Sequence, residues 1–287
     1  MTAAPQTIPS SAAADVPPLA VDSLTVRFGG VTALEDVSFC VDPGTVHAVI
    51  GPNGAGKSTC FNVISGVYRA SSGRVRLGDR DITGIRPHKL VGLGIGRAFQ
   101  NLALSPHSTV LDNVMLGRHA RTRGGFLAAG LRLPWTAREQ RRHRDRSVEI
   151  CEFLGIGDAV DTPVGELPYG DAKRADIARA LATEPSVLML DEPAAGMNAV
   201  ETAVIGQTIH DVRRALGISV LLVEHDMSLV MGIADRVTVL DFGSVVADGP
   251  PDEVRADPAV ISAYLGADED ESDSGPPGPH APGGDSR

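Results

Sequence analysis

One run of eight residues limits the fold more than any other: Gly51-Pro52-Asn53-Gly54-Ala55-Gly56-Lys57-Ser58, preceded by the alternating apolar residues Val46, Ala48 and Ile50. The alternation predicts a strand and Lys57–Ser65 a helix, so a glycine-rich bend joins a strand end to a helix start. Three glycines let the backbone curl until successive N–H groups converge on one anion. The helix N-terminus adds partial positive charge at the same point. The pattern implies a phosphate-binding loop, with Lys57 reaching the β- and γ-phosphates of a nucleotide, Ser58 available to ligate Mg2+ and Thr59 as a further phosphate contact. A glycine-rich turn that matched by chance would lack the strand and helix on its flanks.

The segments around the loop indicate the fold class. Leu24, Val26 and Phe28, then Val37, Phe39 and Val41, alternate as half-buried strands do, and Arg74–Leu77 reads as another. These predict an N-terminal antiparallel β subdomain. From about Pro87 to Ala182 the chain has helical character, and then three strand-length apolar runs follow: Val187–Leu190, Ile218–Val223 and Val237–Leu240. Strands alternating with helices imply an α/β core with a mainly parallel sheet, into which the helical lobe 87–182 is inserted. The folded domain is expected over 19–267. Residues 1–18, rich in Ala, Pro, Ser and Thr, and 268–287, rich in Asp, Glu, Gly, Pro and Ser, are expected to be disordered tails, because neither can bury enough apolar surface to offset ordering entropy.

Charge and cysteine usage narrow the setting. The net charge of −10 argues against nucleic acid as an obligatory partner. It conceals a basic arm, since Arg118 to Ser147 holds nine arginines against Glu139 and Asp145. Two readings of this arm stand open: contact with anionic headgroups or an acidic partner, and a solvated helical face. Cys40, Cys60 and Cys151 form no C-x-x-C pair and are expected to be small apolar fillers in a reducing compartment. No run of about 18 apolar residues predicts a membrane span, and the N-terminus does not read as a secretory signal.

A second constellation lies downstream. Val187–Leu190 delivers Asp191 and Glu192 to the carboxyl end of a buried strand, the edge where ligands bind in such sheets. Asp191 is placed to hold Mg2+, directly or through water, and Glu192 to polarise the attacking water as general base.

The remaining motifs discriminate among phosphate-loop proteins. Leu167-Pro168-Tyr169-Gly170-Asp171, followed by Ala172-Lys173-Arg174, resembles the signature sequence of ATP-binding cassette (ABC) proteins. Gln100, within Arg97-Ala98-Phe99-Gln100-Asn101, resembles the family's Q-loop glutamine. Ala195-Gly196-Met197-Asn198 resembles the D-loop, with Gly196 and Asn198 as its site residues, and His225 resembles the switch histidine. Phe28 stands where the family stacks an aromatic ring on adenine. The resemblance implies an ATP-hydrolysing subunit that uses ATP and Mg2+, with Lys57, Gln100, Glu192 and His225 catalytic, and Ser58, Gln100 and Asp191 at the metal. It also implies a dimer with a second ABC ATPase subunit, identical or different, in which each ATP lies between the phosphate loop of one subunit and the signature of the other. Two transmembrane permease subunits, an extracytoplasmic solute-binding protein and a peripheral place on the cytoplasmic face of the inner membrane follow from the same resemblance.

Glu192-Pro193-Ala194-Ala195-Gly196-Met197-Asn198, the stretch Val223–Met231 and the ending Val260–Gly266 are similar to the ATPase subunits of high-affinity branched-chain amino acid importers. Urea and amide importers, exporters and soluble ABC ATPases are the alternatives. The signature departs from L-S-G-G-Q at Pro168, Tyr169 and Asp171, and the first and last of these bear on an incoming phosphate. Pro168 removes a hydroxyl and a backbone donor, and Asp171 sets a carboxylate where a phosphate would approach, so the composite site using this signature is expected to be weakened.

Overall fold

The computed structural model describes residues 16–98, 102–121 and 134–264. The expected tails fall mostly outside these residues, as do Gln100 and the middle of the basic arm.

A four-stranded antiparallel sheet in the order β2-β1-β4-β5 opens the chain, built from β1 (Leu19–Phe28), β2 (Val31–Val41), β4 (Ser72–Leu77) and β5 (Arg80–Asp81). Leu24, Val26, Val37, Phe39 and Val41 point inward, as their alternation predicts. A second sheet runs β10-β9-β3-β8-β7-β6. Its strands are β3 (Val46–Ile50), β6 (Ile95–Ala98), β7 (Val187–Asp191), β8 (Ser219–Val223), β9 (Arg236–Asp241) and β10 (Ser244–Gly249). All neighbours in it pair in parallel except β9 and β10.

Every residue of β3, β7 and β8 is buried. Such strands are covered on both faces, so successive side chains enter two separate cores. Val187 and Met189 of β7, with Val49 and Leu221, pack with Phe61 and the antiparallel sheet. Leu188 and Leu190, with Ala48 and Leu222, pack into the other core with the helices beyond.

The helices are α1 (Lys57–Ile64), α2 (Pro87–Val91), α3 (Val110–Arg118), α4 (Pro134–Phe153), α5 (Tyr169–Leu181), α6 (Ala199–Leu216), α7 (Met227–Ile233) and α8 (Pro251–Ala256). The helical lobe is present, with α3 packed on α4 and α5. Its first part is not wholly helical, however, because Ile95–Ala98 is the edge strand of the parallel sheet, paired with Val187–Leu190. Gly96 keeps a close approach open there: a Cβ would come within 3.1 Å of the Ala180 carbonyl and of Pro185, which would have to give way by a few tenths of an ångström. A four-residue strand containing glycine and arginine gives no apolar run to read, which hides it in the sequence.

Two further expectations change. Cys60 and Cys151 are buried, but Cys40 is exposed on the outer face of β2 and fills no core. The basic arm is only partly a surface feature: Arg118 is buried and ion-paired to Glu184 at 2.7 Å, Arg121 reaches the same carboxylate at 2.8 Å, and Arg146 lies 3.8 Å from it. Arg138, Arg141 and Arg142 remain exposed on α4. Among the described residues, no helix is long and apolar enough to cross a membrane.

Candidate nucleotide site

Strands β3, β8 and β7 lie side by side in parallel, so their carboxyl ends share one edge of the sheet. There Gly51–Gly56 leaves β3, Asp191 and Glu192 leave β7, and Glu224 and His225 leave β8. Ligands bind at such an edge.

The loop is built by its glycines. Gly51, Gly54 and Gly56 have φ of 149°, 81° and 100°. At Gly51 a Cβ would lie 2.0 Å from the Leu240 carbonyl, and at Gly56 2.8 Å from that of Ala33. Gly54 meets nothing within 4 Å, and Asn53 and Gly54 are exposed beside half-buried Pro52, while Ala55 is buried beneath. The Lys57 ammonium folds back onto the carbonyls of Gly51 (2.7 Å) and Pro52 (2.8 Å). Burial lowers its pKa, and the nearby Glu192 carboxylate opposes that shift. No capping side chain covers the first turn of α1, so its orphan N–H groups, beside the exposed Ser58 and half-buried Thr59, face an incoming anion.

Asp191 is buried, and one of its oxygens, Oδ2, accepts from Arg97 Nη2 at 2.9 Å. The other, Oδ1, is buried with no hydrogen-bond partner. Burial raises the Asp191 pKa and the Arg97 guanidinium opposes that rise. An orphaned buried carboxylate oxygen suits a hard cation such as Mg2+, which takes oxygen ligands. Arg97 lies over the Phe61 ring at 5.1 Å and also donates to Asn62, so it ties α1 to β7.

Glu192 sits at φ 45°, a strained value for a residue with a side chain, and its N–H donates to the Val223 carbonyl at 2.9 Å. His225, which follows β8, has 60 % of its side chain exposed, so its imidazole is accessible to a ligand. Phe28 is 47 % exposed, which removes it from the core, and its ring meets Tyr68 edge-on at 5.3 Å between centroids.

The signature starts α5. Pro168 is its N-cap, and the Pro168 carbonyl accepts from the N–H groups of Asp171 and Ala172, so the helix begins without a capping side chain. Asp171 is ion-paired to Arg174, which offsets the carboxylate charge expected to repel phosphate. Gly170 is half-buried, as is Leu167, which packs against the core. Tyr169 donates through its hydroxyl to the Ala195 carbonyl at 3.2 Å, and its ring lies 3.7 Å from where a Cβ on Gly196 would stand. Asn198 is the N-cap of α6, in a capping box with Glu201. Among the described residues no hydrogen bond or ion pair joins Leu167–Asp171 to Gly51–Thr59. Arg97, Tyr68 and Glu224 were not singled out by sequence; of these only Glu224 left a signal, a charge ending an apolar strand.

Comparison with known proteins now decides the family. The ABC transporter family profile matches residues 34–195. The chain belongs to the ABC transporter ATP-binding family. A profile described as the branched-chain amino acid ATP-binding cassette transporter matches residues 244–270 of this ABC protein. It is 39 % identical to the high-affinity branched-chain amino acid transport ATP-binding protein LivG of Salmonella typhimurium, over 87 % of this chain and 98 % of that one. It is 40 % identical, with the same coverage, to the high-affinity branched-chain amino acid transport ATP-binding protein BraF of Pseudomonas aeruginosa. Among solved structures, the ADP conformation of an ATP-binding cassette of an ABC transporter superposes with a TM-score of 0.76 at 33 % identity, covering 87 % of this chain and 99 % of that one. The α/β architecture is therefore that of the ABC cassettes, and family membership carries ATP hydrolysis with it.

Proposed function

We propose that the chain is the Mg2+-dependent ATPase subunit of an importer for branched-chain amino acids. The observation that carries the chemistry is the meeting of Gly51–Ser58, Asp191–Glu192 and His225 at one sheet edge.

In this mechanism, the backbone N–H groups of Gly51–Thr59 and the ammonium of Lys57 hold the triphosphate of ATP, and Phe28 takes the adenine. Lys57 exchanges its present bonds to the Gly51 and Pro52 carbonyls for phosphate oxygens. Ser58 and Asp191, with Gln100, would hold Mg2+, which would supply charge neutralisation at the phosphates. Glu192 accepts a proton from the attacking water, and His225 hydrogen-bonds the terminal phosphate. Tyr169, Gly170 and the start of α5, with Gly196 and Asn198 of the D-loop, face a second ABC subunit whose phosphate loop they complete. Because the γ-phosphate contacts both halves only when they close, ATP favours the closed dimer and hydrolysis releases it.

The cargo assignment rests on likeness to LivG and BraF, whose names specify branched-chain amino acid transport. On this reading the subunit works at the cytoplasmic face of the inner membrane with two permease subunits and an extracytoplasmic binding protein. Two measurements test the proposal. Glu192→Gln should keep ATP affinity while phosphate release falls by about a hundredfold or more, and undiminished hydrolysis would remove Glu192 as general base. In the reconstituted complex, leucine-loaded binding protein should stimulate ATPase where urea does not; stimulation by urea alone would reassign the cargo.

A further inference from the structure

Strand β8 is apolar from Val220 to Val223 and then places a carboxylate, Glu224, where none is exposed to water: its relative exposure is 0 %. A buried carboxylate is costly unless its oxygens are fully hydrogen-bonded. Here they are divided between two loops. Oε1 accepts the Ala194 N–H at 2.8 Å, two residues beyond the proposed general base Glu192. Oε2 accepts the His225 N–H at 3.1 Å and lies 3.7 Å from His225 Nδ1. Burial pushes the carboxyl upward in pKa, and the N–H groups of Ala194, His225 and Asp226 pull it back toward the charged form.

We propose that Glu224 is a positioning residue for hydrolysis, a carboxylate clamp that holds the Glu192 turn and the His225 loop in one fixed relation. This rests on the roles given above to Glu192 and His225. The turn needs holding, because Glu192 is at φ 45°. Its own N–H is anchored to Val223, the residue before Glu224, so the last two residues at the β8 exit fix the turn at both Glu192 and Ala194. The next residue, Ala195, accepts the Tyr169 hydroxyl, so the same turn continues into the signature helix. Lys173 on that helix, 3 % exposed, feels the charges of Asp176, Glu224, Glu192 and Asp191. The general base, the switch histidine and the segments that face a partner subunit therefore share one rigid junction. Preorganisation of this kind affects the chemical step more than ground-state binding.

The test uses the purified full-length chain. Glu224→Gln replaces one acceptor oxygen by an NH2 group that opposes a backbone N–H. Turnover should fall on the order of tenfold to a hundredfold, while KM and nucleotide affinity change by less than about twofold. In His225→Ala and Glu192→Gln backgrounds the same substitution should cost less than about threefold, because the groups it positions are already gone. Should Glu224→Gln fail to fold, Glu224→Asp, which keeps the charge but shortens the reach, is measured in the same way. Unchanged turnover, a parallel loss of affinity and turnover, or an equal loss in all backgrounds overturns the proposal. If Glu192→Gln and His225→Ala themselves turn over at full rate, their roles fail and the clamp falls with them. If they lose turnover while Glu224→Gln does not, the clamp alone is wrong.

Discussion

His47 lies in the middle of β3 with no exposed surface, stacked on Phe39 at 5.2 Å between ring centroids. Its Nε2 is 2.8 Å from the Thr238 hydroxyl, which donates onward to Asp248, while Nδ1 is buried without a partner. Burial is the main reason its pKa falls to about 4; Asp248 pulls the other way and is outweighed. The unfolded chain binds a proton at a pKa of about 6.5 and the folded chain only near 4, so between these values the unfolded state holds more protons. Stability conferred by this site is thus complete above pH 6.5 and is lost as the pH falls toward 4. The full loss is about 3 kcal/mol, and at pH 5 it is already about 2 kcal/mol. Urea unfolding of the wild type and of His47→Leu at pH 7.5, 6, 5 and 4.5 measures it. The wild type should lose about 2 kcal/mol more than the variant between pH 7.5 and 5. Parallel pH profiles for the two proteins would show that His47 is not held neutral in the folded state. Since β3 runs directly into the phosphate loop, ATP binding should weaken over the same interval.

Two other perturbations follow from the site geometry. Gly51→Ala places a Cβ 2.0 Å from the Leu240 carbonyl at a φ that side chains rarely adopt, and should lower stability by about 3 kcal/mol and abolish nucleotide binding; a variant that melts and binds like wild type contradicts the strain argument. Pro168→Ser restores a hydroxyl at the N-cap of α5, and in the assembled complex ATPase should rise by roughly fivefold, the value of one hydrogen bond; no change or a fall counts against a weakened signature.

Much of the candidate site could be read from local patterns, because each piece is contiguous in the chain. The phosphate loop, the Asp191–Glu192 pair and His225 each follow a strand whose apolar run marks it. What escaped notice comes from pairings between distant segments. Arg97 meets Asp191 across 94 residues, and it lies on an edge strand too short and too mixed to show a period. Glu224 adjoins the switch histidine, yet its bond to Ala194 exists only because β7 and β8 are neighbours in the sheet. The opposite failure also occurs. Cys40 looked like a filler by residue type, but its place on a strand with one face to solvent decides otherwise. Asp171 looked like a charge opposed to phosphate, but an arginine one helical turn away engages it.

Glu184 has a consequence for how this lobe tolerates change. Arg118 and Arg121 reach it from one side of residues 122–133, and Arg146 from the other. A single carboxylate therefore ties α3 and its continuation to Arg121, and α4, to the end of α5, with Arg118 also fastened to the Ala182 carbonyl at 3.0 Å. A fluorescent tag or an inserted epitope placed between residues 122 and 133 should leave nucleotide affinity unchanged, which makes these positions a handle for attaching reporters to this ABC subunit.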